Sequence, residues 1–313
     1  MEAASGTAPA GAGPKRKKVS ARTRSERKLG WMLCAPAVVA MLLVTAYPII
    51  YAFILSLQHL DLRFPDEKEF VGLSNYIDVL SSSLWWQDVF NTLFVTVISV
   101  SIEFVLGMAI ALLMHRAIFG RGTVRTSVLI PYGIVTVVAA FTWQFAFQPD
   151  TGFVNQLPFV ADDKDWFGER FSAFAVIILA EVWKTTPFIA LLLLAGLTTI
   201  DDGLYEAARL DGAGPWQRFV RITLPLMKPA ILVALLFRTL DAFRVFDSIF
   251  VMTRGSVDTE SVSILGYNQL ISRLNLGLGS AVSVLIFLSV LLIAFLFVKG
   301  FGTAVPGREE EAK

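Results

Sequence analysis

"EAARLDGAGPWQRFVRITLPLMKPA", residues 206–230, carries charges, two glycines and three prolines, yet lies between two of the longest apolar stretches of the chain. It is too polar to cross a membrane. Asp201 or Asp202 can cap a helix N-terminus just upstream, and Glu206 then sits near the positive end of a short helix. Gly212 and Gly214 suit a helix stop or tight turn. Pro215 fits the first position of a second helix. Trp216, Phe219 and Val220 are three and four residues apart and share a face of it. The segment therefore predicts a helix–turn–helix connector, closed by Pro225 and Pro229. Ala207 and Ala208 would allow another surface to come close. Physics alone leaves two readings: an amphipathic element resting on a membrane, or a knob that a partner grips.

The rest of the chain supplies the membrane. Of 313 residues, 55% are hydrophobic and 17% charged, below the ~25% charged of a soluble domain, and the mean hydropathy is +0.63. Six stretches reach the roughly 20 residues that a bilayer requires: 30–57, 90–114, 126–147, 172–197, 230–252 and 280–301. Residues 1–28 are Ala/Gly/Pro-rich and then basic, with eight Lys/Arg. Such a composition buries too little apolar surface to order itself, and it reads as a disordered basic tail rather than a nucleic-acid arm. The expected organisation is this tail, a six-span domain over 29–301 with the connector at 200–229, and a second tail over 302–313. One cysteine, Cys34, and two distant histidines, His59 and His115, offer no metal cage and no disulfide. Catalytic residues and metal ligands are both expected to be absent.

Loop charge orients the chain. The connection 115–125 holds Arg116, Arg121 and Arg125 and no acid, while 58–89 holds six acids against two bases and 148–171 five against two. By the positive-inside rule both termini and the 198–229 connector face the cytoplasm, in a multi-pass protein of the cytoplasmic membrane.

The connector's gapped pattern narrows the class. Glu206-Ala207-Ala208, three residues, Gly212, nine residues, then Ile222, Leu224 and Pro225 resembles the cytoplasmic signature of binding-protein-dependent ABC-importer permeases. "GLSNY" (72–76), "GMAIALL" (107–113), "LIP" (129–131) and "EVWKTTPF" (181–188) resemble landmarks of the sugar branch. "SIEFVLG" and "VALLFRTLDAFR" are similar to its trehalose-importing members. One departure is Arg254-Gly255-Ser256, where sugar permeases often carry a Gly-Gly-Pro-like turn. The resemblance implies an all-α, MetI-like fold of six transmembrane helices with a cytoplasmic coupling helix. Its ATPase-coupling residues would be Glu206, Ala207, Ala208, Asp211, Gly212, Ala213, Trp216 and Phe219. It also implies a second homologous permease, an ATPase dimer holding ATP and Mg, and an extracytoplasmic solute-binding lipoprotein. This chain has no phosphate loop, so it would bind no cofactor itself, and it is read as no enzyme. Its other contacts would be sugar and lipid, with no nucleic acid.

The fifth span, "LLFRTLDAFRVFDSIF" (235–250), places Arg238, Asp241, Arg244 and Asp247 three residues apart. Each unpaired charge costs roughly 2.5–3.5 kcal/mol at a helix centre, so pairing as Arg238–Asp241 and Arg244–Asp247 is expected. Asp241, Arg244 and Asp247 are candidates for a sugar path, since Asp and Arg accept from and donate to hydroxyls. Trp143 could stack on a sugar face. Glu181 and Lys184 are expected as a structural ion pair in the fourth span. Glu103 is expected at a helix interface. Asn91, Gln144 and Asn268 are further polar candidates. A rival reading is an ion-coupled secondary transporter with the fifth-span charges as a relay; it leaves the connector pattern unexplained.

Overall fold

The computed structural model describes residues 21–116, 121–158, 160 and 164–301. Of the terminal tails expected at 1–28 and 302–313, residues 1–20 and 302–313 lie outside these. Helix α1 (Ala21–Ser56) starts eight residues before the expected boundary at Leu29, because "ARTRSERK" consists mostly of good helix formers. Two compact units divide between Tyr51 and Ala52. In the first, α1 stacks Tyr47 on Tyr51, ring centroids 6.1 Å apart.

The second unit begins with the last residues of α1, followed by an antiparallel hairpin, β1 (Gln58–His59) opposite β2 (Glu69–Phe70). There follow α2 (Ser74–Ser81), α3 (Ser83–Arg116), α4 (Arg121–Gly133), α5 (Thr136–Ala146) and α6 (Arg170–Leu197). The connector comprises α7 (Asp202–Leu210), α8 (Pro215–Arg218), a π turn over Phe219–Thr223 and the single turn α9 (Leu224–Leu226). Last come α10 (Lys228–Ala242), α11 (Asp247–Met252), α12 (Val262–Tyr267) and α13 (Leu276–Phe301).

Among the described residues, four helices are long and apolar enough to cross a membrane: Leu29–Ser56, Ser83–His115, Arg170–Leu197 and Leu276–Gly300. Two bent pairs, Thr126–Gly133 with Thr136–Ala146 and Pro215–Leu226 with Lys228–Met252, raise the count to six if each is one span. The third expected span is therefore not one helix: its halves meet at 90°. Beyond Pro131 the Ile134 N–H turns back to the Pro131 carbonyl at 3.3 Å, and Val135 is extended at φ −58, ψ 131. By contrast α6 runs unbroken through Pro187. Just before it, the Thr185 and Thr186 hydroxyls donate to the Glu181 and Val182 carbonyls, both at 2.6 Å.

α3 and α6 form the spine of the core, with α10, α4 and α11 packed on it. Ile177, Ile189 and Leu193 of α6 are wholly buried. Gly196 lets α10 approach: a Cβ there would stand 2.4 Å from the Ala230 Cβ. At the far end of α13 from its C-terminus, the hairpin is tied down by Leu276 N–H to Leu60 O at 2.8 Å and Leu62 N–H to Leu274 O at 2.9 Å.

Candidate functional site

Two constructions stand out, one exposed and one buried. The exposed one is the connector. Asp201 caps α7 by accepting from the Gly203 N–H at 2.8 Å, with Asp202 in the first turn and Arg209 in the last, as the helix dipole favours. The other end closes with Ala213 N–H to Ala208 O at 2.9 Å and Gly212 N–H to Arg209 O at 3.0 Å. This is a Schellman closure, and it needs Gly212 at φ +79. Pro215 then starts α8, and Gln217 Oε1 accepts from the Gly214 N–H at 3.1 Å. The Tyr205 hydroxyl meets Thr223 Oγ1 at 2.9 Å and braces α7 on the segment that leads into α10.

The expected coupling residues do not all face one way. Glu206, Ala207, Asp211, Gly212 and Trp216 are exposed, while Ala208 and Ala213 are half-buried. Trp216 and Phe219 are in ring contact at 5.6 Å, but Phe219 packs inward on the cluster containing Met227, Leu193 and Leu197. Phe219 is the root of the knob and Trp216 its tip. Leu210 is 91% exposed and Trp216 73%, so the turn presents apolar groups that little covers among the described residues.

The buried construction ties four helices together. Arg238 of α10 donates from Nε to Glu103 Oε2 at 2.6 Å and from Nη2 to Glu103 Oε1 at 2.9 Å, a two-pronged grip on a carboxylate of α3. Its Nη2 also reaches Glu181 Oε2 of α6 at 3.2 Å, and its Nη1 reaches Asp241 Oδ2 at 2.7 Å. The Thr185 hydroxyl also stands 2.7 Å from Glu103 Oε1, so its one proton is shared between that carboxylate and the Glu181 carbonyl, and Ser248 Oγ of α11 bonds Glu181 Oε1. Glu103, Arg238 and Glu181 are all buried. The Asp241 side chain is 73% exposed.

Two expected ion pairs change here. Glu181 does not pair with Lys184. The guanidinium of the neighbouring helix reaches it first, and the Lys184 ammonium stands over the Tyr132 ring at 5.5 Å instead. Arg244 and Asp247 form no ion pair among the described residues, because α10 ends at Ala242 and Asp247 begins α11; the i,i+3 register is lost between them. Trp143 is half-buried against Phe147 and Trp183, at 5.9 and 5.8 Å. The Arg238–Asp241 contact forms as expected, but as the outer arm of a larger knot. Sequence reasoning set Glu103 at a helix interface without its partner, which lies 135 residues away.

The other polar candidates hold loops. Asn91 donates to the Asp258 and Glu260 carbonyls at 2.9 and 2.8 Å. Gln144 donates to Val251 O at 3.1 Å, and Asn268 to Glu260 Oε1 at 2.8 Å. A hollow of about 360 Å³ between α3 and α6 is lined by Phe94, Ile98, Phe174 and Leu179 among other apolar side chains, and it offers hydroxyls nothing.

Comparison with known proteins agrees with this anatomy. Residues 103–305 match the family of binding-protein-dependent transport system inner membrane components. The chain is 53% identical over 290 residues to the trehalose transport system permease protein SugA of Mycobacterium tuberculosis, covering 92% of this chain and 94% of that one. It is 42% identical to the trehalose/maltose transport system permease protein MalF of Thermococcus litoralis, over 88% and 94% of the two chains. In fold it superposes on a chain of a bacterial ABC transporter that imports the acidic polysaccharide alginate, with TM-score 0.76, 24% identity and coverage of 90% and 99%. A helical bundle knotted through Glu103 and Arg238, with a capped polar connector leading into α10, is thus the body of a sugar ABC-importer permease, and the chain belongs to the binding-protein-dependent transport system inner membrane component family.

Proposed function

We propose that this chain carries one side of the path by which an ATP-driven importer moves trehalose across the cytoplasmic membrane. It works beside a second homologous permease, two ATPase subunits that hold ATP and Mg, and an extracytoplasmic solute-binding lipoprotein. Both termini and the connector face the cytoplasm, in keeping with the basic residues at 15–28 and 116–125. The ATPase takes the exposed turn formed by Glu206, Ala207, Asp211, Gly212 and Trp216, with Ala208, Ala213 and Phe219 as its inner support. Asp241, Arg244, Asp247 and Trp143 belong to the sugar path. The relatives named for trehalose support the choice of sugar.

The observation that carries the reading is mechanical. The knob is closed by local caps and braced through Tyr205–Thr223 on the segment that feeds α10, so a push on Trp216 reaches Arg238 along one continuous stretch of chain. Motion of the ATPases must be converted into exchange of access between the two faces. The test is the reconstituted complex. Trehalose-loaded binding protein is expected to stimulate ATP hydrolysis and uptake. Gly212→Trp is expected to abolish uptake while leaving insertion and assembly intact. Undiminished uptake by that variant would sink the docking surface. Stimulation by another disaccharide and not by trehalose would overturn the substrate alone.

A further inference from the structure

The apolar hollow between α3 and α6 has an ordered build. The two helices run parallel: Asn91 meets Arg170, Phe94 meets Phe174, Glu103 meets Thr185 and Gly107 meets Ile189. Both begin on the extracytoplasmic side in the orientation proposed above. Phe94, Ile98 and Ile102 line the hollow from α3, and Phe171, Ala175 and Leu179 line it from α6. Each set recurs every four residues and so forms one row along its helix. Phe174 and Ile178, both buried, complete the lining.

The dimensions select an occupant. Each row, 94–102 or 171–179, rises about 12 Å, close to the ~15 Å of hydrocarbon in one leaflet. A volume of about 360 Å³ over that length leaves a section of about 30 Å². That is the width of one extended hydrocarbon chain, and too narrow for a helix of roughly 10–12 Å diameter.

A cation stands at the outer end of the hollow. Arg170 is the first residue of α6 and is half-buried. Its Nη2 donates to Asn91 Oδ1 at 2.7 Å, and its guanidinium carbon lies 5.9 Å from the centre of the Phe174 ring. Asn91 is itself held by the Asp258 and Glu260 carbonyls, so the guanidinium is fixed beside the row. Among the described residues no carboxylate pairs with it, and Nε and Nη1 make no hydrogen bond. A guanidinium with spare donors matches phosphate oxygens. A chain-wide apolar groove that ends at such a group has the layout of a phospholipid: acyl chain inward, phosphate at the interface.

We propose that the α3–α6 groove is a site for one phospholipid of the extracytoplasmic leaflet, with an acyl chain along rows 94–102 and 171–179 and the phosphate on Arg170. The choice of leaflet rests on the orientation proposed above, and the site is independent of the sugar carried.

The test uses the whole complex in proteoliposomes containing phosphatidylglycerol with a photoactivatable diazirine in one acyl chain. Adducts mapped by mass spectrometry are expected on both rows, exceeding those on the exposed α13 residues Leu288, Leu292 and Phe295. The expected excess is about fivefold or more, on the order of 1 kcal/mol of preference. Diacylglycerol with the same chain and no phosphate is expected to lose the excess, and so is the Arg170→Gln complex with the phospholipid. Ala175→Trp fills the hollow from an exposed position. It is expected to abolish adducts on the rows while assembly and α13 labelling persist.

Equal labelling of the rows and α13 in the parent would overturn the site. Equal preference for diacylglycerol, or an unchanged pattern in Arg170→Gln, would overturn the phosphate contact. A benzophenone side chain placed at Leu179 is expected to capture lipid; capture of a helix of the second permease would overturn the proposal. If the rows label as expected but the parent complex takes up no sugar, the importer reading fails and the lipid site stands.

Discussion

The connector and the charge knot are built from the same alphabet of short polar contacts, and they differ in reach. The caps that shape α7 and α8 span a few residues: Asp201 to Gly203, Ala213 to Ala208, Gly214 to Gln217. The bonds of the knot join Arg238 to Glu103 and Glu181 across three helices. The connector turns apolar groups outward, and the knot turns charge inward. A local motif can afford an exposed Trp216 because its shape does not depend on burying it. A buried guanidinium stands only if each acid arrives from its own helix. The difference separates what can be altered without loss of folding from what cannot.

The sharpest way to break the contrast is Arg238→Met. It leaves Glu103 and Glu181 buried without their cation, and breaking a buried pair in this way costs about 3–5 kcal/mol. A marked drop in the thermal midpoint of the detergent-purified complex is expected. Glu103→Met combined with Arg238→Met should be less destabilised than Arg238→Met alone, because one stranded charge is gone. Equal midpoints for the single and double variants would deny the pairing.

Gly212→Val comes next. A β-branched residue at φ +79 costs about 1–2 kcal/mol in the left-handed region. The loss should appear as faster amide exchange over 202–223, with the bundle unaffected; spread of the effect into α3 or α6 would contradict a locally closed knob. Trp216→Ala is expected to change stability by no more than about 0.5 kcal/mol, as for surface positions in general, while uptake is lost. A large stability loss there would place Trp216 in the fold rather than at a docking surface.

The smallest effect concerns the outer hairpin. The Arg63 guanidinium, hydrogen-bonded to Asp61, holds that carboxyl down from 3.8 to about 2. A depressed acid stabilises above its unfolded pKa and loses that contribution as pH falls through the folded value. Protection of the Leu62 amide, bonded to Leu274 O, is therefore expected to weaken only between about pH 4 and 2. Weakening already at pH 6 would show another group in control.

Legibility followed the same division. Hydropathy located all the long apolar segments, and the caps at Asp201, Gly212 and Pro215 are nearest-neighbour chemistry that the residues state openly. The bend between Gly133 and Thr136 was harder to foresee, because Pro131 and Pro187 look alike in sequence. One precedes a break, and the other sits in a helix whose flanking threonines bond back to carbonyls. Glu103 meeting Arg238 depends on how α3 and α10 pack, and spacing along one helix carries no trace of it. The Arg244–Asp247 expectation failed for a related reason: a three-residue interval means contact only while the helix persists, and α10 stops at Ala242.

The π turn at Phe219–Thr223 has a consequence for how such a chain can be retuned. A π turn accommodates one surplus residue relative to α-helical winding. Removing that residue would restore ordinary winding and swing everything upstream by about 100° around the axis, with a shift near 1.5 Å. The indole would then point to a different clock position, while Arg238 downstream kept its grip. A one-residue deletion or insertion at this joint thus acts as an angular dial between engine and gate.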